Sequence, residues 1–424
     1  MAKRANKIAL LLVATIGAGT AFAAEEGEFV LDLATLSFRE FERIAIEADP
    51  VSAAAHQRGE AARHRAVSMS QLPDPQVRMG FINVPVDSFS LSEEEMTMKE
   101  IGFQQSFPPY GNLTHSRAEQ EAMASAEDAM GAERELSVLR GVREAWLELY
   151  FQFQAVALIQ RTQQVFDELV KVTTARYRSG RGKQQDVVRS ELELSKLRDR
   201  VAIMESEKDV LMTELGRWIG ASHVARPAPV RFPDLPPLPS LDVMRAKLGE
   251  HPMLQAAEAQ VEVAREGVEL ARSDYRPMSM VDVSYGQRGG DRSDMMSAML
   301  SFSVPIFTSK RQDRNLQARR ADVIASKSET EQRRRELQEM LESDYRRLQR
   351  LDERLKLYEK EVLPYSGQYA QSSMTAYQAG VSDFEDQVMA RMQELENGME
   401  ALRVKVDRAK TQARLLYIYG DRTL

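Results

Sequence analysis

Residues 177–186 read Tyr-Arg-Ser-Gly-Arg-Gly-Lys-Gln-Gln-Asp, and residues 377–386 read Tyr-Gln-Ala-Gly-Val-Ser-Asp-Phe-Glu-Asp. In both, a tyrosine stands three residues before a glycine and an aspartate follows six residues after it: Tyr177, Gly180 and Asp186, then Tyr377, Gly380 and Asp386. Glycine between two helical patterns ends the first helix and lets the chain reverse. Other landmarks keep nearly the same offset. Asp49-Pro50 and His251-Pro252 open the two halves, and Gly220 and Gly420 close them. Ordered landmark pairs at one spacing predict an internal duplication.

Outward from each turn the apolar residues fall at heptad spacing. Leu139, Val142, Trp146, Leu149 and Phe153 precede the first turn, and Leu194, Leu197, Val201 and Met204 follow it. The second half repeats this with Leu341, Tyr345, Leu348, Leu351 and Leu355, then Val388, Met392, Leu395 and Met399. Two antiparallel coiled-coil hairpins are predicted, over about 112–220 and about 309–420. No proline falls between Asn112 and Tyr177, so this arm is expected to be one rod of roughly 100 Å at 1.5 Å per residue. Pro364 is expected to break or kink the matching arm of the second half.

Each rod is preceded by two segments that alternate apolar with polar or small residues, predicted as strands over about 76–89, 97–107, 278–288 and 294–307. Val77, Met79 and Phe81, then Val281, Val283 and Tyr285, mark the period of two. Four strands cannot close a barrel, and eight leave an interior filled by side chains. A water-filled lumen therefore asks for three chains and about 12 strands. The predicted fold class is mainly α with a membrane β-barrel: a duplicated unit whose helical hairpins form a trimeric α-barrel beneath a β-barrel built from four strands per chain.

Composition agrees with long solvated helices. The 424 residues carry 57 basic and 64 acidic side chains, few aromatics and no cysteine, which excludes disulfides, a thiolate metal site and a lipidated N-terminal cysteine. Residues 1–23 read as a secretory signal: Lys3, Arg4 and Lys7, an apolar run from Ile8 to Ala14, and Ala21-Phe22-Ala23 as the cleavage motif. Its removal takes three positive charges from a chain of net charge −7, leaving an acidic exported protein. Six prolines between Pro227 and Pro239 mark a linker over 227–240, which separates a first repeat at 24–226 from a second at 241–424.

From about Leu31 to Gly420 the chain resembles the TolC family of outer-membrane efflux ducts. Leu72-Pro73-Asp74-Pro75-Gln76, Asn83-Val84-Pro85-Val86-Asp87, Met96-Thr97-Met98-Lys99 and Gln104-Gln105-Ser106-Phe107-Pro108 look like its heavy-metal branch. The resemblance implies a homotrimer with one 12-stranded β-barrel in outer-membrane lipid and a long periplasmic α-barrel. It also implies a periplasmic adaptor (membrane fusion) protein and an inner-membrane RND pump as partners, with cobalt, zinc, cadmium, copper or silver as cargo. Neither a cofactor nor nucleic acid is expected. A duct for a drug or type I exporter and a soluble periplasmic coiled-coil adaptor are the alternatives.

The resemblance assigns Asp186, Tyr377 and Asp386 to the periplasmic aperture, where three copies would turn one carboxylate into a ring that attracts cations. The alternative is that each aspartate simply charges the first turn of its helix. The turns Tyr177–Gly180 and Tyr377–Gly380 are the implied adaptor-docking points. Their charges oppose: Arg176, Arg178, Arg181 and Lys183 crowd the first turn, and Asp383, Glu385 and Asp386 the second. Ion pairs between Arg178 or Arg181 and Asp383 or Glu385 are predicted, while Arg176 and Lys183 read as solvated tip charges. No enzyme constellation accompanies these features, because the five histidines are not at metal-ligand spacing and there is no P-loop or nucleophile elbow. The 21 methionines include Met278, Met280, Met295, Met296 and Met299 around the second strand pair. Packing is the favoured reading for them, with Cu(I) or Ag(I) contact as the alternative.

Overall fold

The computed structural model describes residues 38–219 and 231–422. The predicted signal, Gly220 and part of the proline-rich linker lie outside these residues. The first repeat runs α1 (Phe38–Glu47), α2 (Pro50–Met69), β1 (Gln76–Ile82), β2 (Met98–Phe107), α3 (Asn112–Arg178) and α4 (Gln184–Ile219). The second runs α5 (Leu241–Lys247), a 3-10 turn, α6 (Pro252–Ser273), β3 (Met278–Arg288), β4 (Met295–Ser303), α7 (Gln312–Leu357), a π-helical turn (Tyr358–Val362), α8 (Leu363–Ala379) and α9 (Phe384–Tyr419). The duplication is therefore structural, with α2 matched by α6 and the α3–α4 hairpin by α7–α8–α9.

The helix before each strand pair starts the same way. Asp49 accepts from the Ser52 N–H at 2.8 Å and His251 accepts from the Met253 N–H through Nδ1 at 3.2 Å, each with proline next. Proline at the first helical position fixes φ without losing a hydrogen bond, and the preceding side chain satisfies an N–H that would otherwise lack a partner.

Proline-free α3 spans 67 residues. Pro364 does not break the second arm. The Leu363 N–H bonds to the Tyr358 carbonyl five residues back, so the chain widens into one π turn. This relieves the clash between the proline ring and the preceding turn while the arm stays helical.

The four strands form one antiparallel meander, β1-β2-β3-β4. The extents of β1 and β4 differ from the sequence prediction. β1 stops at Ile82 because Asn83 turns left-handed at φ 55 and Pro85 has no N–H. β4 covers Met295–Ser303 because the Asp294 carboxylate accepts the Arg288 N–H at 3.1 Å in the hairpin and Pro305 ends pairing at the other side.

Register makes the sheet two-faced. Val77 pairs with Phe103, Met79 with Ile101, Ile101 with Tyr285, Phe103 with Val283 and Val281 with Leu300, giving one continuous apolar face that is largely exposed. The opposite face carries Arg78, Glu100, Gln104, Asp282 and Ser284, with an Arg78–Asp282 ion pair reaching across it. No described helix is long and apolar enough to cross a membrane.

Below the sheet the core is a belt of helices and strap. Phe41, Val142, Trp146, Leu149 and Leu215 cluster on one side, and Leu136, Leu254, Leu337, Leu341 and Leu415 on the other. The strap at 231–240 crosses them: the Trp146 indole donates to the Arg231 carbonyl at 3.2 Å, and Gln412 donates to the Pro236 carbonyl at 2.8 Å. Glu42 and Arg143, both buried, meet at 2.5 Å and tie α1 to α3.

Candidate functional site at the hairpin tips

The two tips have the same backbone. Gly180 and Gly380 both sit at φ +73. Arg181 N–H reaches the Arg176 carbonyl at 2.9 Å, and Val381 N–H reaches the Ala376 carbonyl at 2.9 Å. Both turns thus close with the six-to-one bond that caps a helix when a glycine adopts the left-handed conformation.

The tips lie side by side and enclose a cleft of about 440 Å³, lined by Arg181, Lys183, Asp186, Arg189, Tyr377 and Glu385 among others. Tyr377 is buried, packed edge-on against Phe384 with ring centroids 5.7 Å apart. The Arg176 guanidinium lies 4.8 Å above the Tyr377 ring and donates to the Tyr377 carbonyl at 3.0 Å. Arg176 therefore joins the two hairpins, contrary to its reading as a solvated tip charge. A guanidinium stacks on a ring and forks to an oxygen at once, and sequence spacing did not place the second hairpin within its reach.

Burial pushes the Tyr377 hydroxyl up from the ordinary tyrosine range; the nearby Arg176 charge opposes this and the Asp186 carboxylate adds to it. That hydroxyl is buried without a hydrogen-bond partner in the chain. Asp186 lies in the first turn of α4, half-buried at the cleft wall. Asp386 is exposed and accepts from the Ser382 hydroxyl at 3.0 Å, a local bond within its own turn. Tyr177 is exposed where its counterpart Tyr377 is buried.

Charge does link the tips, through a residue the sequence reading passed over. Arg189 pairs with Glu385 at 2.9 Å. Neither Arg178 nor Arg181 forms an ion pair with Asp383 or Glu385 within the chain. Arg189 sits nearly one turn beyond Asp186, so on α4 it shares the face that meets α9; the helical period, applied from Asp186, was the available clue. Beneath the tips, Thr173 and Ser190 hydroxyls meet at 3.2 Å, and the fully buried Gln387 has both side-chain polar atoms unpaired. No group of His, Asp and Glu suited to a metal ion occurs among the described residues.

The chain thus combines a two-faced four-stranded sheet with two helical hairpins beneath it. Residues 243–421 match the family described as outer membrane efflux protein. The described chain has the fold of TolC-type outer-membrane channels. It is similar to the outer-membrane channel OprN at TM-score 0.77, 16% identity and coverage of 90% of this chain and 89% of that one. It is similar to VceC from Vibrio cholerae at TM-score 0.77, 14% identity, 90% and 96% coverage. The open state of the MtrE channel from Neisseria gonorrhoeae superposes at TM-score 0.74, 18% identity, 90% and 88% coverage. No match to a curated protein sequence is found. A soluble adaptor, which needs a lipoyl-like β-domain in place of the strand pairs, does not fit this fold.

Proposed function

We propose that the chain is the exit duct of a tripartite efflux system: a homotrimer in the outer membrane that conducts substrate passively from an RND pump, through a periplasmic adaptor, to the exterior. The observation that carries this reading is the sheet with one apolar and one polar face. Three copies edge to edge place the apolar faces against lipid and the polar faces around water, with no unpaired strand edge left in the membrane. A duct lowers no chemical barrier and calls for no catalytic group. The cargo is heavy-metal cations, a reading supported by the motifs at 72–76, 83–87, 96–99 and 104–108 around the first strand pair.

In this reading the hairpin tips are the periplasmic aperture. Asp186, Tyr377 and Asp386 recur three times around the axis, and the tip arginines Arg178 and Arg181 face Asp383 or Glu385 of a neighbouring hairpin. The turns at Tyr177–Gly180 and Tyr377–Gly380 present the adaptor-docking points. Reversing Arg178 or Asp386 is expected to raise the resting conductance in a planar bilayer; unchanged conductance in both variants rejects the inter-hairpin lock. Fractionation tests the duct itself. A heat-modifiable trimer in the outer membrane supports it, and a soluble periplasmic monomer sinks it.

A further inference from the structure

The polar face of the sheet carries one residue type that a water-lined wall does not call for. Strand register places Met98, Met278, Met280, Met295 and Met299 on that face. Ile82 is the one other large apolar side chain there among the strand residues. The remaining positions are Ser, Gly, Gln and charged residues. Methionine usually fills irregular gaps in a core, but this face has no layer packed over it, and Met299 is 64% exposed.

The thioethers are also arranged. Met295 stands directly opposite Gly286, and the Met98 thioether from the other neighbouring strand occupies the space above that glycine, where a Cβ would collide with it. Two sulfur side chains thus converge over one glycine from β2 and β4. Further along, Met299 is opposite Asp282 and Met280 is opposite Ser301. Those two methionines are diagonal neighbours on one face, within reach for long side chains. Met280 also accepts from the Gln104 amide at 2.7 Å, which points its sulfur along the face. Met278 ends the series opposite Ser303.

The geometry points to a thioether track along the barrel lumen that takes a soft monovalent cation, Cu(I) or Ag(I), handing it between sulfur pairs as it crosses the membrane. Thioethers hold such ions and have little affinity for Zn(II) or Co(II). Paired rather than caged sulfurs give weak, repeated sites, which suits conduction: an ion enters and also leaves. The track rests on the duct reading, because only that reading makes this face the lumen.

The test uses the full trimer in nanodiscs, labelled at the methionine methyl carbon and titrated with silver nitrate in chloride-free buffer. Ag(I) is expected to shift the methyl signals of Met98, Met280, Met295 and Met299 and to leave Met79 and Met296, on the apolar face, unmoved; Zn(II) is expected to shift none. The variant combining Met98→Leu, Met280→Leu, Met295→Leu and Met299→Leu keeps size and apolarity without sulfur. It is expected to conduct potassium as before and to bind Ag(I) at least tenfold more weakly. Where that variant does not insert, Met295→Leu with Met299→Leu gives the same comparison with a partial loss. Equal Ag(I) affinity in the leucine variants, equal shifts on the apolar face, or equal shifts with Zn(II) overturn the track while the pore still conducts. A trimer that conducts nothing overturns the duct reading, and the lumen assignment with it.

Discussion

His251 shows how one side chain couples helix geometry to pH. Its Nδ1 accepts from the first turn of α6 and its Nε2 donates to the Tyr417 carbonyl at 3.1 Å. Burial holds the imidazole below the ordinary histidine range, with the Tyr417 carbonyl and Glu133 opposing. The unfolded chain then binds the extra proton first, so stability falls as pH drops below about 6.5. The melting temperature is expected to decline as pH falls from 7 toward 5, and His251→Asn, which keeps a capping oxygen, to flatten that slope. Glu42 and Arg143 make a second case. Burial raises the Glu42 carboxyl despite Arg143 beside it, and removing one partner strands the other charge. Arg143→Leu is expected to lose about 3–5 kcal/mol in denaturant unfolding, more than the double change Glu42→Leu with Arg143→Leu. At the turns, Gly380→Ala adds a Cβ with nothing within 4 Å, so its cost is backbone strain alone, on the order of 1 kcal/mol.

At the scale of elements the hairpin tips differ in how they are held. The first tip presents exposed arginines and Tyr177, whereas the second buries Tyr377 under Arg176 and keeps polar groups, Tyr377 and Gln387, without partners. An unsatisfied buried group costs about 1–3 kcal/mol, so the Tyr377 hydroxyl and the Gln387 amide hold the second tip less firmly than paired groups would. The Arg189–Glu385 pair is partly exposed and worth up to about 1 kcal/mol. Arg189→Glu is expected to raise the open fraction in bilayer recordings by up to roughly fivefold, and the added Glu385→Arg to bring it back; an unaltered double variant and single variant sink the pair as a latch. The heptad spacing made the hairpins legible from sequence because a coiled-coil seam is a local, periodic requirement. The contacts between hairpins were not legible. Arg176 and Tyr377 are 201 residues apart, and the duplication that aligns the two turns does not say that they touch.

Across the whole molecule, the duct reading gives the sheet the task of placing the protein in the outer membrane. An arginine on the apolar face, as in Phe103→Arg, is expected to cost about 2–4 kcal/mol near mid-membrane and to remove the trimer from the outer-membrane fraction. Ser297→Arg, on the opposite face, is expected to leave the trimer in place and alter only conductance. The sequence by itself determined the duplication, the rods, the two turns and the alternation of the strands, since each follows from spacing along a short stretch of chain. The strand ends were missed by a few residues, because Asn83, Asp294 and Pro305 act through backbone conformation and pairing rather than through hydropathy. Only the tertiary structure decided which faces meet: the cross-strand register that puts methionines among serines, and the approach of the tips that brings Arg176 onto Tyr377 and Arg189 onto Glu385. Those arrangements depend on how distant segments pack, and a linear pattern constrains packing only through the sum of many weak contacts.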